Sequence, residues 1–198
     1  MLLITSYKMK MELLSLLNEL KQMKWIDLSH EFGENTPRWP GFESLRKEIK
    51  LEFGEYPVRA YQYSFPGQYG THVDVPGHAD VNGRTLEKID IKECVLPLCV
   101  INCSDKVKMN SDYALSLDDI HDYEKIYGKI PKGAFVAMRS DWGKRWPSQE
   151  KFQNMDEYGE QHYPGWSLEA VKYLIEKRDV TAIGHETFDT DPPFCKEQ

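Results

Sequence analysis

The sequence predicts a single domain that mixes strands with helices, and three observations carry that expectation. The chain has 198 residues, of which 40% are hydrophobic and 12% aromatic, enough for one substantial core. Apolar runs at 94–103, 134–139 and 180–183 read as strands, with helix-period segments at 116–127 and 167–177 between them. Upstream, two alternating segments at 49–53 and 58–65 read as an antiparallel pair.

Taken in order, residues 11–23 place Leu13, Leu16, Leu17 and Leu20 at helical spacing, and that stripe is expected to find core or local packing, or a partner subunit. Residues 1–24 are therefore read as a helical extension and 25–198 as the main domain. Trp25 to His30 reads as a short strand entering a loop that Pro37, Pro40 and Gly41 stiffen around Trp39. Trp39 either walls a pocket for a planar group or plugs the core. Ile49, Leu51 and Phe53 alternate with Lys50 and Glu52, which predicts a strand buried on one face. Tyr61, Tyr63 and Phe65 share one side of the next strand, and Pro66-Gly67 turns the chain into residues 68–78.

Beyond a polar turn at Asp80 to Arg84, the nearly unbroken apolar run from Cys94 to Cys103 predicts a strand buried on both faces. Ser116 as N-cap, Asp119 three residues on and a stop at Gly128 frame the 116–127 helix, with His121 on its solvent side. The apolar strand Ala134 to Arg139 runs into a polar and aromatic segment containing Trp142 and Trp146, either a pocket lining or an anchored loop. Residues 147–164 are irregular and long enough to form a lid or an interface arm, and His162 within them carries no assigned role. In the 167–177 helix, Leu168, Val171, Leu174 and Ile175 are expected to face the core. The strand at Val180 to Ile183 leads into a second polar cluster, where His185 is followed by Glu186, Asp189 and Asp191. That cluster lines a pocket or forms a solvated acidic loop.

A net charge of -7 argues against a general nucleic-acid binder and gives no attraction to anionic membranes. Cys94, Cys99, Cys103 and Cys195 lack CxxC spacing, which points to buried free thiols in a reducing compartment and away from a cysteine-based zinc site. Residues 1–10 lack the apolar core and cleavage site of a signal peptide, and no apolar run reaches membrane-spanning length. These features together predict a cytoplasmic protein. No GxSxG elbow supports a serine hydrolase.

The stretch from Gln68 to His78 concentrates the chemistry. If extended, it places Gln68, His72, Asp74 and His78 on one face and Tyr69, Thr71, Val73 and Val75 on the other, where most could pack inward. An amide oxygen, two imidazoles and a carboxylate on one face suit a divalent metal with one group left for acid-base work. A buried strand whose His and Asp are only hydrogen-bonded meets the same spacing. Pro76-Gly77 bends the chain, so His78 can sit apart from the first three.

Gly70, Thr71, His72, Asp74, Pro76 and His78 resemble the His-x-Gly-Thr-His-x-Asp-x-Pro-x-His signature of the cyclase family of metal-dependent hydrolases, which includes kynurenine formamidase and isatin hydrolase. Asp27 to His30 with Pro37, Trp39, Pro40 and Gly41 resembles the family's opening. The strand end near Arg139 and Trp142 resembles its middle. Gly184, Thr187 and Asp191-Pro192 resemble its later Gly-x-Asp-Thr-x-Ser-x-Asp-Pro stretch, so the resemblance spans about residues 25–192.

The resemblance implies a compact α/β fold of the swivelling β/β/α type, a mixed sheet with flanking helices, usually in a homo-oligomer. It implies zinc or manganese as the metal and hydrolysis of a small amide, a cyclic amide or a related acyl substrate. Gln68, His72 and Asp74 take the ligand positions, His78 the acid-base position and Trp39 a substrate-contacting position, with His185, Glu186 and Asp189 lining the substrate pocket. The chain departs from the family where Gln68 replaces the first His, which favours an oxygen-preferring ion such as manganese or places Gln68 on a metal-bound water. His185, Glu186 and Asp189 replace the commoner Ile, Asp and Ser, and His185 can supply a nitrogen ligand. Family members continue for further strands, so a C-terminal part is expected to be missing beyond Gln198. The competing expectation is a non-catalytic or truncated member that binds a small molecule or a protein.

Overall fold

A computed structural model describes residues 2–194, with side chains from Met11 onward. The chain divides after His30 into two compact units. The first is built on one helix, α1 (Leu2–Gln22), which begins well before residue 11. Its leucine stripe is not buried in a core of this unit: Leu13, Leu16, Leu17 and Leu20 are between 44% and 61% exposed. A lone helix offers no second apolar layer of its own. Trp25 to His30 forms no strand. The Trp25 indole instead donates to the Leu20 carbonyl at 2.9 Å, at the helix end.

In the second unit, β1 (Arg46–Leu51) and β2 (Ala60–Ser64) form the expected antiparallel pair, with Ile49 opposite Tyr61 and an irregularity between Ile49 and Leu51. Its apolar face is not buried, since Ile49 is 58% and Phe53 60% exposed. Among the described residues the pair is a two-stranded ribbon of its own.

The core lies farther along the chain. It is built by β3 (Leu98–Asn102), α2 (Ser104–Met109), β4 (Ala114–Leu115), α3 (Leu117–Tyr127), β5 (Phe135–Arg139), α4 (Gln149–Gln153), β6 (Gly165–Trp166), α5 (Leu168–Arg178) and β7 (Ala182–Gly184). A parallel sheet runs in the order β3-β5-β7, and β4 pairs with β6, also in parallel. Parallel neighbours need crossovers, which α3 and α5 supply. Val136 and Met138 of β5, Ile120 of α3, and Ala170 and Leu174 of α5 share one buried cluster. The prediction that 94–103 is buried on both faces fails, because Cys99 and Ile101 are buried while Leu98 and Val100 are exposed. An edge strand covered on one face alternates in this way.

The capping signals for α3 hold, but His121 is not on the solvent side: it is half-buried and meets the Tyr173 ring of α5 edge-on at 5.2 Å. The Asp119 amide donates to the Ser116 hydroxyl, the Ser116 amide donates to the Asp119 carboxylate at 2.8 Å, and Gly128 closes the helix with φ 86°. On α5, Leu174 is buried, whereas Leu168 and Ile175 stay on the exposed side. Arg178 of α5 is bonded to Glu124 of α3 and holds the Glu124 carboxyl down at about 2.

Trp142 is buried and donates from its indole to the Phe152 carbonyl at 3.0 Å. Phe152 and Tyr163 are buried as well, so the 147–164 segment is anchored in the core at both of these positions. Cys99 and Cys103 are buried free thiols, and burial pushes the Cys103 thiol up to about 12. Cys94 is free but exposed, contrary to the expected burial, because it lies in a surface 3-10 turn ahead of β3. Cys195 lies outside the described residues. Among the described residues, no helix is long and apolar enough to cross a membrane.

Candidate functional site

Residues 68–75 carry no strand hydrogen bonding, which corrects the extended reading. Gly70 takes φ +70°, a left-handed conformation that breaks the alternation, and a Cβ there would stand 3.1 Å from the Phe32 ring. Of the four residues expected to turn inward, Tyr69 is buried, while Thr71 and Val73 are exposed and Val75 is half-buried. Tyr69 anchors the stretch: its hydroxyl donates to the Gly33 carbonyl at 3.0 Å and accepts from the Leu45 amide at 3.1 Å. Its ring meets Phe32 and Phe65 at centroid distances of 5.5 and 6.1 Å. The loop that carries Trp39 is thereby tied to the stretch that carries His72.

His72 Nδ1 lies 2.8 Å from the Gly70 carbonyl oxygen. A carbonyl only accepts, so Nδ1 carries the proton and Nε2 keeps its lone pair in the neutral ring. That lone pair stands 3.5 Å from Asp74 Oδ2. Two electron-rich atoms face each other across this gap, which suits a cation between them. Ligands each about 2.1 Å from a metal lie about 3 to 3.5 Å apart, so the pair fits one edge of a coordination polyhedron. Gln68, expected as a ligand, gives its amide Nε2–H to Asp74 Oδ1 at 3.1 Å and orients that carboxylate. Among the described residues, no three His, Cys, Asp or Glu side chains stand assembled as a metal cluster.

His78 ends the 3-10 turn Pro76–His78 and is exposed. The turn is fixed from behind: Gly77 donates its amide to the Arg84 carbonyl at 2.9 Å, and a Cβ on Gly83 would meet the Pro76 backbone at 2.5 Å. Trp39 is 47% exposed and no core plug, and its ring covers Gly41 and contacts Phe42 at 5.7 Å. Arg38 beside it exchanges two hydrogen bonds with Gln149 of α4, at 2.8 and 2.7 Å.

His185 is half-buried, and its Nε2 lies 3.5 Å from the Thr190 hydroxyl and its Nδ1 3.1 Å from the Thr187 hydroxyl. Burial holds its imidazole below the usual histidine range, which keeps it neutral near pH 7. Glu186 is committed to the backbone: its carboxylate accepts from the Ser140 amide at 3.1 Å and the Gly143 amide at 2.7 Å. It fixes the loop after β5 in place. Asp189 is exposed and accepts at its carbonyl from the Thr187 hydroxyl at 2.9 Å.

The family model named Cyclase, described as "Putative cyclase", matches residues 26–192. The chain belongs to the Cyclase family. This cyclase-family chain is 30% identical over 194 residues to the isatin hydrolase of Roseibium aggregatum, covering 87% of the chain and 73% of that protein. It is 32% identical over 97 residues to the kynurenine formamidase of Geobacillus thermodenitrificans, a match covering 48% of the chain and 46% of that relative. The match thus spans less than half of the formamidase's length. Isatin hydrolase A of Ralstonia solanacearum has a similar structure, with a TM-score of 0.84 and 28% identity over 95% of this chain and 76% of that one.

One feature of this family member gave no signal in the sequence. His162 Nδ1 lies 2.7 Å from Asp112 Oδ2 and its Nε2 3.5 Å from Asp156 Oδ2, a grouping that spacing alone does not show. The hydrogen bond to Asp112 raises the His162 pKa above 6.5, with Asp156 adding to it. The folded-state pKa therefore exceeds the unfolded one. The stabilisation is complete below about pH 6.5 and is lost as pH rises through the raised value. Urea midpoints of wild type and His162→Gln should differ more at about pH 5.5 than at about pH 8.5. A gap that does not change with pH defeats this assignment.

Proposed function

We propose that this chain is a metal-dependent hydrolase of small amides, cyclic amides or related acyl compounds. The observation that carries the reading is the pair His72 Nε2 and Asp74 Oδ2, two lone-pair atoms 3.5 Å apart within the family's matched segment. The names of the relatives support the substrate class, since isatin is a cyclic amide and a formamidase cleaves a formyl amide.

His72 and Asp74 hold a divalent ion, manganese or zinc, with Gln68 keeping Asp74 in register. When bound, the ion supplies Lewis acidity toward the scissile carbonyl and toward water. His78 takes the proton from the attacking water at an imidazole nitrogen and delivers it to the leaving nitrogen as the C–N bond breaks. Trp39 supplies an aromatic wall for a flat substrate, and Asp189 a carboxylate on its polar side.

A second reading, a binding module without turnover, draws on the Gln68–Asp74 bond, which gives the carboxylate a partner without metal. One experiment separates the two. Protein stripped with chelator and reloaded with manganese or zinc is assayed against isatin and an aryl formamide by absorbance. Metal-dependent turnover is expected. Metal uptake without turnover of these or a wider amide panel leaves the binding module, and no metal uptake overturns the metal-dependent reading.

A further inference from the structure

We propose that α1 pairs with α1 of a second copy of this chain, which makes the helix a self-association element independent of the metal chemistry. Three observations converge on it.

The first is the amount of apolar surface that the helical unit leaves in water. Between Met11 and Leu28, ten large apolar side chains are exposed, from Leu20 at 44% to Trp25 at 76%. Single exposed leucines are ordinary, but a contiguous set of this size marks an interaction surface. These side chains present on the order of 1,000 Å², and each partner of a standard interface contributes about 800 Å². Most of a helix's stability comes from packing its apolar face, and α1 lacks a second layer within its own unit.

The second is the step of the stripe. Leu13, Leu16, Leu20 and Met23 alternate gaps of three and four, and Leu17 widens the face. Upstream in the sequence the same steps fall on Met9, Ser6 and Leu2. One helix, Leu2–Gln22, spans the repeat, and the Met23 amide still reaches the Leu20 carbonyl at 3.2 Å. Such a step keeps one seam turned toward a neighbouring helix along its whole length. The seam is also self-complementary. A second copy brings the same face in equal amount, and a two-fold axis closes the pair.

The third is charge, which argues against a lipid surface. Helices that lie on membranes are rich in Lys and Arg on their polar face. On α1, three lysines and two glutamates nearly balance, and the chain as a whole carries -7. Away from the seam, the Ser15 hydroxyl donates to the Glu19 carboxylate at 3.3 Å, a bond suited to a face in water.

The test uses the whole chain, with its mass read by light scattering at micromolar concentration. The wild type is expected to be a dimer. Leu16→Asp with Leu20→Asp is expected to weaken self-association by at least about 100-fold. Leu16→Lys with Leu20→Lys is expected to do the same, because either pair sets like charges across the seam. Mixed in equal amounts, the acidic and basic variants should form a heterodimer. This holds whether the helices run parallel or antiparallel, since every charged contact then joins opposite signs. A protein that has merely lost its fold does not regain a partner on mixing. A monomeric wild type overturns the proposal, whether or not it binds vesicles of anionic phospholipid. Acidic variants that dimerise as tightly as the wild type overturn it as well. Variants that stay monomeric when mixed seat the stripe on some other surface and overturn the helix pair. None of these outcomes bears on the metal-dependent reading.

Discussion

His72→Ala is expected to abolish stoichiometric metal, with affinity falling by more than about 100-fold, beyond the 10–100-fold that losing an outer-shell partner typically removes. The expectation follows from the local geometry. His72 Nε2 is the lone-pair atom facing Asp74 Oδ2, and the Gly70 carbonyl fixes which nitrogen points there. Alanine removes the imidazole and leaves Asp74 held by Gln68 alone among these three groups. Metal per chain after loading with zinc or manganese and desalting reads this directly. Thermal unfolding supplies an independent readout, because a ligand that binds only the folded state raises stability by about 2.7 kcal/mol at 100 times its Kd. The wild type should melt higher when loaded, and the variant should melt at one temperature with or without metal. A variant that keeps one ion per chain would remove His72 from the site. His72 is exposed, so its loss should leave the metal-free fold intact.

His78→Ala should give the opposite pattern. Metal content stays at the wild-type level, while kcat falls by about 10²- to 10⁴-fold, the usual contribution of a positioned acid-base group. The reason is again structural. His78 sits on its own 3-10 turn past Pro76, held by the Gly77 amide to the Arg84 carbonyl, whereas His72 and Asp74 precede that turn. An acid-base role predicts a further sign: added imidazole restores part of the rate. Unchanged turnover in a metal-replete His78→Ala protein would sink the role. Read together, the two variants separate holding the ion from moving the proton.

Where the sequence was most informative, the signal was local. Ser116, Asp119 and Gly128 framed α3 correctly because capping bonds close within a few residues. The apolar run 134–139 was read correctly because β5 lies between two strands. Signals that depend on a neighbouring layer failed. Leucines 13, 16, 17 and 20, Ile49, and the outer face of β3 have the periodicity of buried residues and are exposed. Periodicity states that a face is apolar but cannot name what covers it. The extended reading of 68–75 failed for a related reason, since a strand exists only with a partner to exchange hydrogen bonds. His162 gave no signal because its two aspartate partners are meaningful only once the chain is folded.

By itself, the sequence determined the family, the helix caps, the turns at Pro66-Gly67 and Pro76-Gly77, and which residue types stand ready for metal and proton chemistry. Their side-chain chemistry and short spacings do not wait for the fold. Tertiary structure decided which lone pairs are free and which face one another. It bonded Gln68 to Asp74, committed Glu186 to two backbone amides, and seated His185 between the Thr187 and Thr190 hydroxyls. A ligand set is a matter of distance and direction between atoms, and the packing of Trp166, Phe188 and Tyr69 sets both.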